Sequence, residues 1–104
     1  MDNRIERVNE QLVHVIALAV EEELTGDLEF FSITQAKITP DLREAKVWFT
    51  EGSTPESTKT TNTFLQKITP TIIRALKKNV PMKYIPHLTF LPDKGFRNLE
   101  TIEQ

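Results

Sequence analysis

The 104-residue sequence contains no cysteine. Without a thiol there is no disulfide, no thiol nucleophile and no thiolate metal ligand, and such a chain suits a reducing compartment. The three glycines are isolated from one another. Neither a phosphate-binding loop nor a dinucleotide-binding fingerprint is therefore present. These absences exclude several classes of enzyme.

Long apolar runs are also missing, because no stretch approaches the roughly 20 residues that a membrane-spanning helix needs. The N-terminal Met-Asp-Asn-Arg lacks the charged-then-apolar order of a signal peptide. We therefore expect a cytoplasmic protein without membrane contact. The 13 basic and 15 acidic residues give a formal charge of −2, so a case for nucleic-acid binding must rest on where the charges lie.

Catalytic patterns are scarce. The two histidines, His14 and His87, stand far apart in the sequence, and no histidine pair or Asp-x-Asp loop offers metal ligands. We therefore predict no enzyme, no cofactor and no metal. An uncharacterised hydrolase is the alternative, and it would need an acid–base cluster in one pocket.

The apolar pattern predicts one domain with several short elements. Apolar residues at helical spacing predict a first helix over residues 3–24. Two strands follow, over residues 30–39 and 44–50. A bulge near Gln35 is expected, because the apolar residues of the first strand change face there. Trp48 falls on the polar side of the second strand, where we expect it to lie across the outer sheet face; stacking on a base is the alternative.

The segment 54–80 predicts two helices that meet at a break. Its apolar residues recur at intervals of three and four, which places them on one helical face: Leu65, Ile68, Ile72 and Leu76. Pro70 inside a helix would remove an amide donor and clash with a carbonyl, at a cost of roughly 3 kcal/mol. Thr69 as an N-cap, with Pro70 at the first position of a new helix, avoids that cost.

The last predicted strand covers residues 87–91 and is closed by a turn that begins at Pro92. The resulting order is helix, strand, strand, broken helix, strand. This order predicts an α+β fold with helices on one face of a three-stranded sheet. We expect a single domain over residues 1–93 and a C-terminal tail over residues 94–104.

The basic residues are more informative than the net charge. Several lie on or just after the second half of the broken helix, two share a flank of the first helix, and one lies on the sheet: Arg74, Lys77, Lys78 and Lys83; Arg4 and Arg7; Lys46. They are either scattered solubilising charges or RNA contacts. In the second interpretation, the first four form a cationic rim beside the helix break, where free amides after Pro70 could also bind a phosphate.

Four motifs occur in a characteristic order: Arg4-x-x-Arg7-Val8, Ser32-Ile33-Thr34, Pro40-Asp41-Leu42 with Ala45-Lys46-Val47, and Pro86-x-Leu88-x-Phe90-x-x-Asp93. Together they resemble the bacterial ribosome-binding factor A family over nearly the whole chain. The resemblance implies a type II KH-like fold in which a helix-kink-helix replaces the usual GxxG loop. The family usually has Ala or Gly at the kink, where this chain has Thr69-Pro70-Thr71.

The resemblance also implies a function without catalysis. The expected role is a cold-shock and assembly factor that binds the free small ribosomal subunit and helps the small-subunit rRNA to mature. Expected partners are that rRNA and subunit, with assembly GTPases as further candidates, and the protein is expected to be a monomer. The alternative is a protein-interaction module on the same fold, which would use an open sheet edge or the Trp48 face.

Overall fold

The computed structural model describes residues 3–26 and 28–94. Its elements, in chain order, are α1 (Asn3–Glu23), β1 (Ile33–Ile38), β2 (Glu44–Thr50), α2 (Pro55–Lys67), α3 (Thr69–Asn79) and β3 (His87–Asp93). The predicted α+β class and element order are confirmed. The predicted tail lies outside the described residues, apart from Lys94. None of the described helices is long and apolar enough to cross a membrane.

The three strands form one mixed sheet in the order β1-β2-β3. β1 and β2 are antiparallel, whereas β2 and β3 are parallel. Parallel neighbours need a long crossover connection, and α2 and α3 supply it. Alternate side chains of β2, those of Ala45, Val47 and Phe49, belong to the core that the strands share with the helices. The side chains between them, such as that of Lys46, therefore point to the opposite sheet face.

The predicted bulge in β1 is present. Ile33 pairs with Phe49, whereas Gln35 rather than Thr34 pairs with Trp48, so β1 contains one extra residue at this point. The extra residue changes the parity of the strand. For this reason Ile33 and Ala36, which have an odd separation, both lie in the core.

The expected turn at Pro92 is wrong, because β3 continues through Pro92 to Asp93. Pro92 lies opposite Phe49 and Asp93 opposite Thr50. β3 is an edge strand, and proline is tolerated in an edge strand because its missing amide can face away from the sheet. Proline therefore does not end this strand.

The helix break is present, but its N-cap differs from the prediction. Ile68 is the capping residue, with φ −93° and ψ 7°, and no side chain caps α3. The Thr69 hydroxyl instead donates back to the Leu65 carbonyl at 2.8 Å. Pro70 has no amide hydrogen for the carbonyl of Gln66, four residues earlier. The Ile68 amide donates to that carbonyl as well as to the Phe64 carbonyl.

The core forms where the helices cover the sheet. The predicted stripe of the broken helix is buried as expected: Leu65 0%, Ile68 7%, Ile72 0% and Leu76 0% exposed. α1 contributes Leu12 and Ile16, both fully buried, and it packs on both β1 and α3. α3 is thereby held with one face on the core and the opposite face toward solvent.

Trp48 lies outside this core cluster, although only 7% of its surface is exposed. Its neighbours in the sheet register are Gln35 and Leu91. This matches the expectation of an aromatic side chain lying across the outer sheet face. The alternative, stacking of Trp48 on a base, is wrong because too little of the side chain is accessible.

Candidate nucleic-acid interface

α3 presents three cations on its solvent side. Arg74, Lys77 and Lys78 are all exposed, and they lie within about one helical turn of one another. We call these three residues the α3 ridge. No residue of α3 is acidic, and within residues 3–26 and 28–94 no carboxylate is paired with any of the three. The ridge is therefore a concentration of positive charge on a protein that is slightly acidic as a whole.

On one side of the ridge lies a groove between α1 and α3. Arg7 from α1 and Lys78 from α3 both line this groove, which has a volume of about 600 Å³. Arg4 lies one helical turn before Arg7. Glu10 and Glu22 line the same groove, so its charge is mixed.

On the other side lies a hollow formed with the segment that joins α3 to β3. We call it the loop hollow, and its volume is about 560 Å³. Lys77 and Lys83 both line it, together with Tyr84. Among the residues that the structure describes, no acidic one lines the loop hollow. The structure thus brings Arg7, Lys83 and the α3 ridge to neighbouring positions.

The expected cationic rim extends from the helix break to the far end of α3. Lys77 and Lys78 belong to the last turn of α3. Lys77 is seven residues beyond Pro70, which corresponds to about 10 Å along a helix axis. A phosphate bound by the amides that begin α3 would therefore lie nearer to Arg74, four residues beyond Pro70, than to Lys77 or Lys78. Each cation in the last turn also stabilises the helix by about 0.3–1 kcal/mol, because it interacts favourably with the helix dipole.

Lys46 lies apart from the other predicted contacts. It is in register with Lys37 on one side and Thr89 on the other, and it lines a small depression with both. Since Lys46 is on the sheet face opposite the core, it does not join the surface formed by α3. Its role as an RNA contact stays a prediction.

The two histidines lie in different parts of the fold. His14 lines the α1–α3 groove, whereas His87 begins β3 and pairs with Glu44 in the sheet. The two histidines line no common pocket. No group of three or more acidic or histidine residues in these ranges could hold a metal ion. Glu10 and Glu22 line the α1–α3 groove together with His14, and the hydrolase alternative stays untested.

Sequence reasoning missed Tyr84, which is 72% exposed beside Lys83. The Lys83 ammonium lies 5.7 Å from the centre of the Tyr84 ring. The available signal was an aromatic residue next to a lysine in a segment without apolar periodicity.

Comparison with known proteins places these features in a family. The profile of a family described as ribosome-binding factor A matches residues 4–104. The chain belongs to the ribosome-binding factor A family. The resemblance expected from the four motifs is thereby confirmed, and the match includes the last residues of the chain.

Individual relatives in the ribosome-binding factor A family agree with the profile. The chain is 36% identical to ribosome-binding factor A of Zymomonas mobilis over 101 residues, which cover 93% of this chain and 71% of that protein. Its fold is similar to the crystal structure of ribosome-binding factor A from Thermus thermophilus, with a TM-score of 0.72 at 19% identity. That match covers 85% of this chain and 93% of the other.

A further similar structure is a homology model of the Thermus thermophilus factor, fitted into a cryo-EM map of its complex with the 30S subunit. Its TM-score is 0.68 at 21% identity, and the match covers 84% of this chain and 92% of the other. Similarity at this identity establishes the ribosome-binding factor A fold and leaves the residues that contact RNA to be argued from this chain.

Proposed function

We propose that this protein binds the free small ribosomal subunit through its rRNA and assists late maturation of that rRNA. The α3 ridge, with Arg7 and Lys83 beside it, is the proposed contact surface. Arg4, one helical turn before Arg7, extends this surface along α1. The proposed factor is not an enzyme and acts by binding alone. Membership of the ribosome-binding factor A family supports the choice of subunit.

The observation that carries the proposal is the positive charge of α3, with which no carboxylate in the described part of the chain is paired. A helix whose charged residues are all exposed cations is suited to the phosphate backbone, because each neutralised phosphate releases condensed counterions. Contacts of this kind position a protein on RNA without reading its sequence. The solubilising alternative explains exposed lysines in general, but it does not explain why five cations gather around one helix in a chain with net charge −2.

We expect the triple variant Arg74→Ala/Lys77→Ala/Lys78→Ala to co-sediment with free small subunits much less than the wild type. Removing three phosphate contacts should also lower the slope of log affinity against log salt by roughly two to three. The measurement is sedimentation of purified protein with free subunits at several salt concentrations. Translating ribosomes serve as a second target, to which the wild type should not bind.

The matched control is Lys37→Ala/Arg43→Ala/Lys59→Ala. It removes one arginine and two lysines, as the test variant does, but from the β1–β2 hairpin and from α2. We expect this variant to sediment nearly as the wild type does. Equal losses in both variants would contradict a localised surface, and no association of the wild type would reject the function.

A specific observation favours a second candidate, docking of a polypeptide. The α1–α3 groove has an apolar floor that includes Val15, Ala19 and the 48% exposed Leu18, flanked by charges of both signs. Subunit binding that persists at high salt and survives nuclease treatment would support this candidate. Docking of a polypeptide on the Trp48 face is disfavoured, because that side chain is buried.

We further propose a cytoplasmic, monomeric factor whose requirement is greatest in the cold and whose partners include assembly GTPases. These points rest on family membership and on the resemblance. Sedimentation velocity tests the monomer, and growth of a deletion strain at low temperature tests the cold requirement. Normal growth and normal rRNA processing in that strain would contradict the maturation role.

A further inference from the structure

The loop hollow contains an aromatic ring that is mostly exposed to solvent. Tyr84 is 72% exposed, and it lies on the segment between α3 and β3. Its neighbour Ile85 also lines the hollow, but Ile85 packs partly against the core. Burying a tyrosine ring is favourable. A ring left in solvent at the edge of a hollow is therefore available for a ligand.

The surroundings of the ring indicate the chemistry of that ligand. Lys83 places its ammonium 5.7 Å from the ring centre, within cation–π distance. Lys77 reaches the same hollow from α3, and no carboxylate of residues 3–26 or 28–94 lines it. An anionic ligand with a flat group matches this combination. The α1–α3 groove differs, because Glu10 and Glu22 line it.

A nucleotide that is not base-paired has both required parts. Its base offers a π face, and the phosphates on either side offer the negative charge. Stacking of unpaired bases on aromatic side chains, next to cations that follow the backbone, is a general mode of single-strand recognition. In a duplex the bases are already stacked on one another. A duplex could therefore place its phosphates on the lysines, but it could not stack a base on Tyr84. The volume of about 560 Å³ is within the range of small-ligand sites.

We propose that the loop hollow binds one unpaired RNA nucleotide, with its base on Tyr84 and its flanking phosphates on Lys77 and Lys83. The site rests on the proposed function and refines it: the rRNA segment bound beside the α3 ridge is single-stranded. Because every base has a π face, the hollow should tolerate different bases. The hydroxyl of Tyr84 is not required for stacking.

The test compares three variants for binding to labelled single-stranded RNA of about ten nucleotides, as oligouridylate and as oligoadenylate. Tyr84→Ala should bind about tenfold more weakly, the loss typical of one stacked base. Tyr84→Phe should bind within about twofold of the wild type, because the ring is kept. Phe30→Ala is the control, since Phe30 is 80% exposed and does not line the hollow.

A hairpin RNA with a closed stem provides the second comparison. We expect Tyr84→Ala to bind the hairpin as tightly as the wild type does, whereas Lys77→Ala/Lys83→Ala should bind both the hairpin and the single strand more weakly. Upfield shifts of the Tyr84 ring protons on addition of the single strand would support stacking directly. Equal binding of wild type and Tyr84→Ala to the single strands would overturn the proposal.

The same variants separate this proposal from the function on which it rests. If the wild type co-sediments with free small subunits and Tyr84→Ala does so equally well across salt concentrations, the nucleotide site is wrong while the subunit function stands. If the wild type does not associate with subunits, the function itself fails.

Discussion

Leu42 is the residue with the most unusual backbone among those described. Its φ is 64°, in the left-handed region that costs a residue with a Cβ roughly 1–2 kcal/mol. The neighbouring turn holds it there: the Thr39 hydroxyl and the Arg43 amide both donate to the Asp41 carboxylate, at 2.7 and 3.1 Å. These bonds, led by that from Thr39, hold the pKa of Asp41 below its usual value. The associated stability is present above the unfolded-state pKa and is lost as pH falls through the lower folded-state pKa.

Asparagine should be better tolerated than alanine at position 42. Both substitutions lose the apolar contacts of Leu42, which is 38% exposed, but asparagine adopts the left-handed conformation at lower cost than alanine. We expect the free energy of unfolding of the asparagine variant to exceed that of the alanine variant by about 0.5–1 kcal/mol, and its melting temperature to be higher by roughly 2–6 °C. Thermal melts at pH 7, where Asp41 is ionised, measure the difference. An asparagine variant that melts at or below the alanine variant would contradict the assignment.

At the scale of single residues, sequence reasoning succeeded where a local pattern decides the outcome. The alternation along β2 placed Lys46 and Trp48 on one face and Val47 on the other. It could not predict how accessible Trp48 is, because accessibility depends on neighbouring strands. Tyr84 was missed for the same reason: whether a loop residue is covered depends on what packs next to it.

At the scale of elements, Pro70 accounts for the division of one helical pattern into two helices. The four buried residues of the pattern would share one face even in an unbroken helix. Packing of the stripe therefore does not require the break. The missing amide at Pro70 leaves the Gln66 carbonyl without its usual donor, and Ile68 departs from helical geometry.

Replacing Pro70 by alanine should join α2 and α3 into one helix. The alanine amide can donate to the Gln66 carbonyl, which removes the reason for the break. We expect the 13Cα chemical shift of Ile68 to become helical and the amide at position 70 to exchange slowly with solvent. Pro55→Ala is the control, because proline at the start of α2 occupies a position whose amide has no helical partner. A non-helical shift at Ile68 in the Pro70 variant would show that tertiary packing makes the break.

Most elements could be predicted because each shows one periodicity between clear breaks. The bulge followed from the change of parity along β1, and β2 has the predicted bounds. The predicted end of β3 was wrong because the effect of a proline depends on whether its strand lies at the edge of the sheet. The sequence does not show which strand is at the edge. The predicted N-cap of α3 was wrong because the Thr69 hydroxyl donates to the Leu65 carbonyl and does not cap an amide of α3. These two local hydrogen bonds are of similar strength.

At the scale of the whole molecule, charge is distributed between two faces. The α3 ridge and its neighbours lie on the helical side, whereas Lys37 and Lys46 lie on the outer face of the sheet. Sequence reasoning singled out the ridge residues, Lys46 and their basic neighbours, but not Lys37, and the family resemblance implied that they bind RNA. It could not tell which share a face, because that depends on how α1 and α3 pack over the sheet.

Crosslinking to free small subunits, with mapping of both partners, tests the central claim most directly. The claim is that α3 and the loop hollow face rRNA. We predict that the protein is linked to rRNA through peptides containing Lys77, Lys78, Lys83 or Tyr84, and that the contacted nucleotides include unpaired positions. Links to rRNA that come only from the hairpin carrying Lys37 and Lys46, or links to ribosomal proteins alone, would contradict the claim.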